Sequence, residues 1–257
     1  MSRLEPVPDF DRAADAFRRR IRIETIEAGV VVSELEDDFH HFVVTLHHDD
    51  ARVRAVTCES RRWPWSTCPD AAQGLRALVD MPLSRRFTAA GRWTDPRLNC
   101  THQFDAACYA VTHAAWGRRL RVYDMEVPLR ESAVGTTRAR LWCDGELALE
   151  WSLTWEGIAD PEPPFEAAPW RGGFMRWADA TLPEAAAENA IALRRVADIG
   201  MGRGMDLDSV PVASQLPVSM SGICYSMQPG TVEVAIRNKG TIRDFADAPE
   251  RLCAQPL

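Results

Sequence analysis

Residues 39–48 read Phe39-His40-His41-Phe42-Val43-Val44-Thr45-Leu46-His47-His48. The stretch has the two-residue period of a strand. Phe39, His41, Val43, Thr45 and His47 fall on one side. His40, Phe42, Val44, Leu46 and His48 fall on the other. Neighbouring histidines are therefore expected on opposite faces of a sheet. Upstream, period two begins at Arg18 and takes in Ile21, Ile23 and Ile26. Gly29 marks a turn, Val30-Val31-Val32 resumes the strand, and Asp37-Asp38 breaks it. Downstream, His48-Asp49-Asp50 is a turn before a strand from Arg52 to Cys58. The pattern predicts an antiparallel meander of about three strands with short connections.

Helical spacing follows. Ser66 or Thr67 is placed to cap a helix starting at Cys68, with Pro69 and Asp70 in its first turn and Ala71, Leu75, Leu78 and Val79 on its buried stripe. A short helix is expected over 83–90. A third runs from about Thr101 to Ala115 with Phe104, Ala107, Cys108 and Val111 inward, stopped by Gly117. The remainder opens with a strand from Leu120 to Val127, then a hairpin around Cys143-Asp144-Gly145. A proline-rich crossing follows over 160–169. Thr181-Leu182-Pro183-Glu184 reads as a capping box for a helix reaching about Asp198. The tail reads as two or three strands, among them Ile223–Met227 and Val232–Ile236. The fold class is α+β: an antiparallel sheet with helices on one face, extended by strands of the second half. The expected divisions are an arm over 1–17, a first half over 18–117 that carries the site, and a second α+β half over 118–257.

The 257 residues suffice for a sizeable core. A net charge of −7 argues against nucleic acid or an anionic membrane as partner. No apolar run has the roughly 18 residues a membrane span needs. The acidic opening stretch does not read as a secretory signal, so the expected compartment is the cytoplasm. Seven cysteines without regular spacing read as free thiols.

The chemistry concentrates in His40-His41, Cys68 and Cys100-Thr101-His102. Cys68 and Cys100 sit where a helix amino terminus would favour a thiolate. His40, Cys68 and Cys100, with His41 or His102 as fourth ligand, would suit tetrahedral zinc. Two other readings stay open: the cysteines as small core residues, and metal-free proton transfer by histidine and cysteine. Arg61, Arg62, Arg85, Arg86 and Arg92 lie close in sequence to the cysteines, and a guanidinium is a natural clamp for a carboxylate. Trp63, Trp65 and Trp93, in loops beside arginine and proline, suit a flat aromatic ligand. Tyr225, one of three tyrosines, is a candidate contact from the second half. Gly200–Gly204 reads as a helix stop, and no GxSxG motif supports serine hydrolysis.

The stretch from His40 to Leu46, Cys68 at a helix start, Leu98-Asn99-Cys100-Thr101-His102 and the late run from Gly222 to Pro229 together resemble the bacterial domain-of-unknown-function family 2889 over nearly the whole chain. That family implies a location for the site and no established activity. Residues 36–115 also resemble the NifU-type iron–sulfur scaffolds in the order and spacing of strands, helices and ligands. On that likeness His40 stands where the scaffold has its first cysteine, and Cys68 and Cys100 match the second and third. Phe42 replaces a scaffold aspartate, and Asn99 replaces a histidine. The resemblance thus implies a reused pocket for catalysis or zinc rather than cluster assembly.

The sequence therefore predicts an enzyme acting on a small aromatic carboxylic acid, a lyase or decarboxylase. His40, His41, Cys68, Cys100 and His102 are the candidates for proton transfer. Arg61, Arg62, Trp63, Trp65, Arg86, Arg92, Trp93 and Tyr225 are the candidates for binding. No cofactor is the leading expectation, with zinc kept open at His40, Cys68, Cys100 and His102. The competing expectation is a non-enzymatic zinc or iron–sulfur carrier. The expected partner is the small acid, with no nucleic acid or membrane, and a homodimer is left open.

Overall fold

The computed structural model describes residues 15–130 and 135–255. Its frame is one seven-stranded antiparallel sheet in the order β4-β3-β2-β1-β5-β6-β7. The strands are β1 (Ala16–Glu27), β2 (Val30–Asp37), β3 (His41–His48), β4 (Val53–Arg62), β5 (Leu120–Pro128), β6 (Thr137–Cys143) and β7 (Glu146–Leu153). The α+β class holds, with four strands in the opening meander where about three were expected. Most of the arm expected over 1–17 lies outside the described residues, but Ala16 and Phe17 already belong to β1, and Phe17 is buried. Strand β1 pairs with both β2 and β5, so the two halves share one continuous sheet.

Alternation gives the sheet two unlike faces. One carries Phe17, Ile21 and Ile23 of β1, Val31 and Leu35 of β2, Val44 and Leu46 of β3, and Tyr123, Met125 and Val127 of β5, all buried. Helices α1 (Thr101–Trp116) and α3 (Glu184–Gly200) bury their stripes in the same core, through Phe104, Ala107, Cys108 and Val111 and through Ala187, Ile191 and Val196. Gly117 ends α1 in the left-handed conformation, at φ 63°, where a side chain would be strained.

The other face is charged. In register across it lie Arg18 of β1, Glu126 of β5, Arg140 of β6 and Glu150 of β7, alternating in sign. A second row runs Arg62, His41, Glu36, Arg20 and Asp124 from β4 to β5. Much of this face is buried because the carboxy-terminal segment crosses it. Ala246 O accepts from Arg18 Nε (3.2 Å), and the Cys253 amide donates to Glu36 Oε2 (2.7 Å). Buried charges are tolerable when paired and hydrogen-bonded, and the row places opposite charges side by side.

Three expectations about elements are corrected. The segment from Cys68 is a 3-10 helix, Cys68–Leu78, with Thr67 at its N-cap making no side-chain cap bond. Thr181 does not cap a helix; it is the last residue of α2 (Phe174–Thr181), and α3 starts at Glu184 behind Pro183. The tail strands are absent among the described residues: Tyr225–Met227 is a 3-10 turn, and pairing there is limited to isolated bridges such as Trp65 with Arg237. Pro211, Pro217 and Pro229 punctuate that segment, and proline cannot donate to a ladder.

Candidate active site

Asp37 ends β2 and builds the turn into β3. Its Oδ1 accepts from the amides of Phe39 and His40, both at 2.8 Å, and from His40 Nδ1 at 3.0 Å. Its Oδ2 accepts from Arg19 Nε (2.9 Å) and from the same guanidinium's terminal nitrogen (2.5 Å). Arg19 stands opposite Asp37 in the β1–β2 register, on the face covered by helices. His40 projects from this turn, and His102 comes down from the first turn of α1. Their rings stack with centroids 3.5 Å apart and 20° between planes. His102 Nε2 lies 4.0 Å from Asp37 Oδ2. Phe42 flanks both rings, with centroids 6.0 Å from His40 and 6.5 Å from His102.

The centre is nearly dry: Asp37 is 0% exposed, His40 7% and His102 5%. Burial lowers the proton affinity of His40, against the pull of Asp37. Burial lowers that of His102 further, with His40 and Arg19 adding to the effect. Burial would raise the Asp37 carboxyl, but the Arg19 cation and the hydrogen bond from His40 outweigh it and hold it well below the usual range. With both imidazoles neutral, Arg19 is the cation that keeps Asp37 ionised. An ionised carboxylate can only accept, so His40 donates from Nδ1 and keeps the lone pair on Nε2. The site is a neutral ion pair carrying two uncharged imidazoles, each able to take a proton.

Of the predicted groups, His40 and His102 meet here. Cys68 and Cys100 gather next door in a small apolar cluster with Phe42, Trp65, Ala71 and Met227, bordered by Trp63, Cys224 and Tyr225. The thiolate expectation is corrected for both. Burial pushes the Cys68 thiol up to about 11, opposed by a 3.5 Å contact with Ser226 Oγ. It pushes Cys100 well above its ordinary value, and the neighbouring Cys68 and Cys224 act in the same direction. Desolvation outweighs the helix start.

His41 lies apart from this centre. It points to the charged face, with Nε2 2.8 Å from Glu34 Oε1 and Nδ1 3.3 Å from Glu36 Oε1. Arg61 and Arg62 do not form a free clamp. Arg61 pairs with Glu34 and Glu59. Arg62 donates to the carbonyls of Asp37 (2.6 Å), Asp38 (2.9 Å) and His40 (3.2 Å) and pairs with Glu36 at 3.0 Å. Trp65 is buried with the Arg237 guanidinium over its ring, and Trp93 is 43% exposed. Arg86 and Arg92 instead line a cleft of about 780 Å³ that also takes in Phe104 and Asp105 of α1.

Among the described residues, Asp37, His40 and His102 are the only group of three whose potential ligand atoms all lie within 4.8 Å of one another. The cysteines are not part of it, which corrects the expected zinc set. Two nitrogens and one carboxylate are a reasonable donor set for a divalent cation, but the arrangement does not fit one. Ligand lone pairs lie in the ring planes, and two rings stacked at 3.5 Å with 20° between them hold those lone pairs in nearly parallel planes rather than converging on one ion. Asp37 is already occupied by four donor groups, and the Arg19 cation sits on the same carboxylate.

No protein-family model matches the chain, and neither does a curated protein or a solved structure. Asp37 and Arg19 escaped the sequence reading. A signal for each exists: Asp37 precedes His40 by three residues, a spacing suited to capping a turn, and Arg19 shares the parity of Phe17, Ile21 and Ile23. An arginine on an apolar face needs a buried acid.

Proposed function

We propose that the chain is an enzyme whose chemistry is proton transfer at the His40–His102 pair. The narrower form is a carbon–carbon lyase that decarboxylates a small aromatic carboxylic acid. The observation that carries it is the pair of stacked imidazoles, kept neutral by burial and oriented through Asp37. Perturbed titratable groups gathered at one buried place are a mark of catalytic sites.

For a hydroxybenzoate the steps balance as follows. A neutral imidazole takes the phenolic proton and becomes imidazolium. The ring carbon bearing the carboxylate takes that proton back as the phenolate electrons move into the ring. The bond to the carboxylate then breaks, its electron pair restores the aromatic ring, and carbon dioxide leaves. The phenolate takes a proton from water. Cys68 and Cys100, held as thiols, act as packing beside the base. Each positioned proton transfer contributes about a hundredfold or more in rate.

The test is carbon dioxide release from a panel of hydroxybenzoates by the purified chain and its His40→Gln and His102→Gln variants. Release by the wild type, lost by a hundredfold or more in either variant with far-UV circular dichroism unchanged, supports the reading. No release from any acid, or full release by both variants, contradicts it.

A further inference from the structure

We propose that the cleft between the 3-10 segment Phe87–Arg92, helix α1 and helix α2 binds an aromatic carboxylate, with Arg92 and Arg176 holding the anion. This rests on the proposed function, whose substrate class it places at a specific wall of the molecule.

The cleft measures about 780 Å³, within the usual span of small-molecule sites. Five arginines and three aspartates line it, an excess of two cations in a chain of net charge −7. Three of the arginines are engaged. Arg97 pairs with Asp95 at 2.8 Å, and Arg195 grips Asp105 at 3.0 and 3.2 Å. Arg86 donates to the carbonyls of Asp179 and Leu182. Arg92 and Arg176 are exposed and have no hydrogen bond or ion pair among the described residues. Two free guanidiniums on one concavity are suited to a carboxylate, which accepts parallel N–H bonds.

The wall beneath is apolar. Phe87 and Phe104 are 5% and 4% exposed, and Met175 is half-buried. The half-buried Met175 and the edges of Phe87 and Phe104 offer an aromatic ring an apolar contact that a bare inorganic anion cannot use, while its carboxylate meets the arginines. The cleft and the buried centre share helix α1. Asp105 of its lining is three residues beyond His102, one helical turn along the same side of α1.

Calorimetric titration with 4-hydroxybenzoate, and separately with inorganic phosphate, tests this on the whole chain and on Arg92→Ala, Arg176→Ala and the double variant. Both side chains are exposed, so the variants should keep the wild-type melting temperature. The expected result is binding of 4-hydroxybenzoate, weakened about tenfold or more by each single change and further by both. Phosphate should bind at least tenfold more weakly than the aromatic acid. Unchanged affinity in the double variant, no binding to the wild type, or equal affinity for phosphate overturns the proposal. Arginine-dependent binding without carbon dioxide release removes the lyase reading alone. Release with full affinity in the double variant removes the cleft alone.

Discussion

His40 and His41 are adjacent in the chain and have opposite surroundings. His40 belongs to the helix-covered face, where Asp37 and Arg19 form a single ion pair and a second imidazole lies 3.5 Å above. His41 belongs to the charged face, where both its nitrogens meet carboxylates and Arg62, Glu36 and Glu34 extend the lattice. On the charged face opposite charges alternate along the rows. On the helix face two bases remain uncharged beside a carboxylate already satisfied by others. The Asp37-Asp38 turn separates the two: His40 closes it on the helix side, and His41 opens β3 on the charged side.

The largest expected effect is at the ion pair under His40. Asp37→Ala strands the buried Arg19 and removes the acceptor for two backbone amides. It should cost about 3–5 kcal/mol in chemical denaturation, the usual result of leaving a buried charge alone. Arg62→Ala on the charged face should cost less, about 1–3 kcal/mol, because carbonyls rather than a lone charge lose most of its bonds. Equal losses would erase the distinction between the faces. A large loss of ligand binding by Arg62→Ala without loss of stability would restore it as a clamp.

A smaller effect is expected from pH. His102 holds its proton less tightly in the fold than its ordinary value of 6.5. The unfolded chain therefore takes up the proton first as pH falls. The contribution of His102 to stability is complete above about pH 6.5 and is lost below it. Relative to His102→Gln, the wild type should lose up to about 1.4 kcal/mol per pH unit in that range. Urea denaturation of both chains at pH 5, 6, 7 and 8 measures the difference, and parallel profiles would mean that the ring is not buried as a neutral base.

Much of this architecture was legible in the sequence, because alternation survives wherever one face of a strand is buried. The split of His40 from His41 and the Asp144-Gly145 hairpin both follow from local rules. The meeting of His40 with His102 was legible as proximity, through Cys100-Thr101-His102 opening a helix. Three things were not. Whether Cys68 is a thiolate depends on desolvation by groups from residues 213–235, far away in sequence. The employment of Arg62 depends on carbonyls exposed by the Asp37-Asp38 turn. The last turn of α2 took over Thr181 because Phe174 and Ala178 bury a stripe the sequence reading missed.

The most direct test of the central claim is a nitrogen-15 titration of the imidazole side chains. The account predicts that His40 and His102 are both neutral at pH 7, that His40 carries its proton on Nδ1, and that each protonates only below about pH 6.5. A cationic ring at pH 7 at either position, or His40 protonated on Nε2, would contradict it.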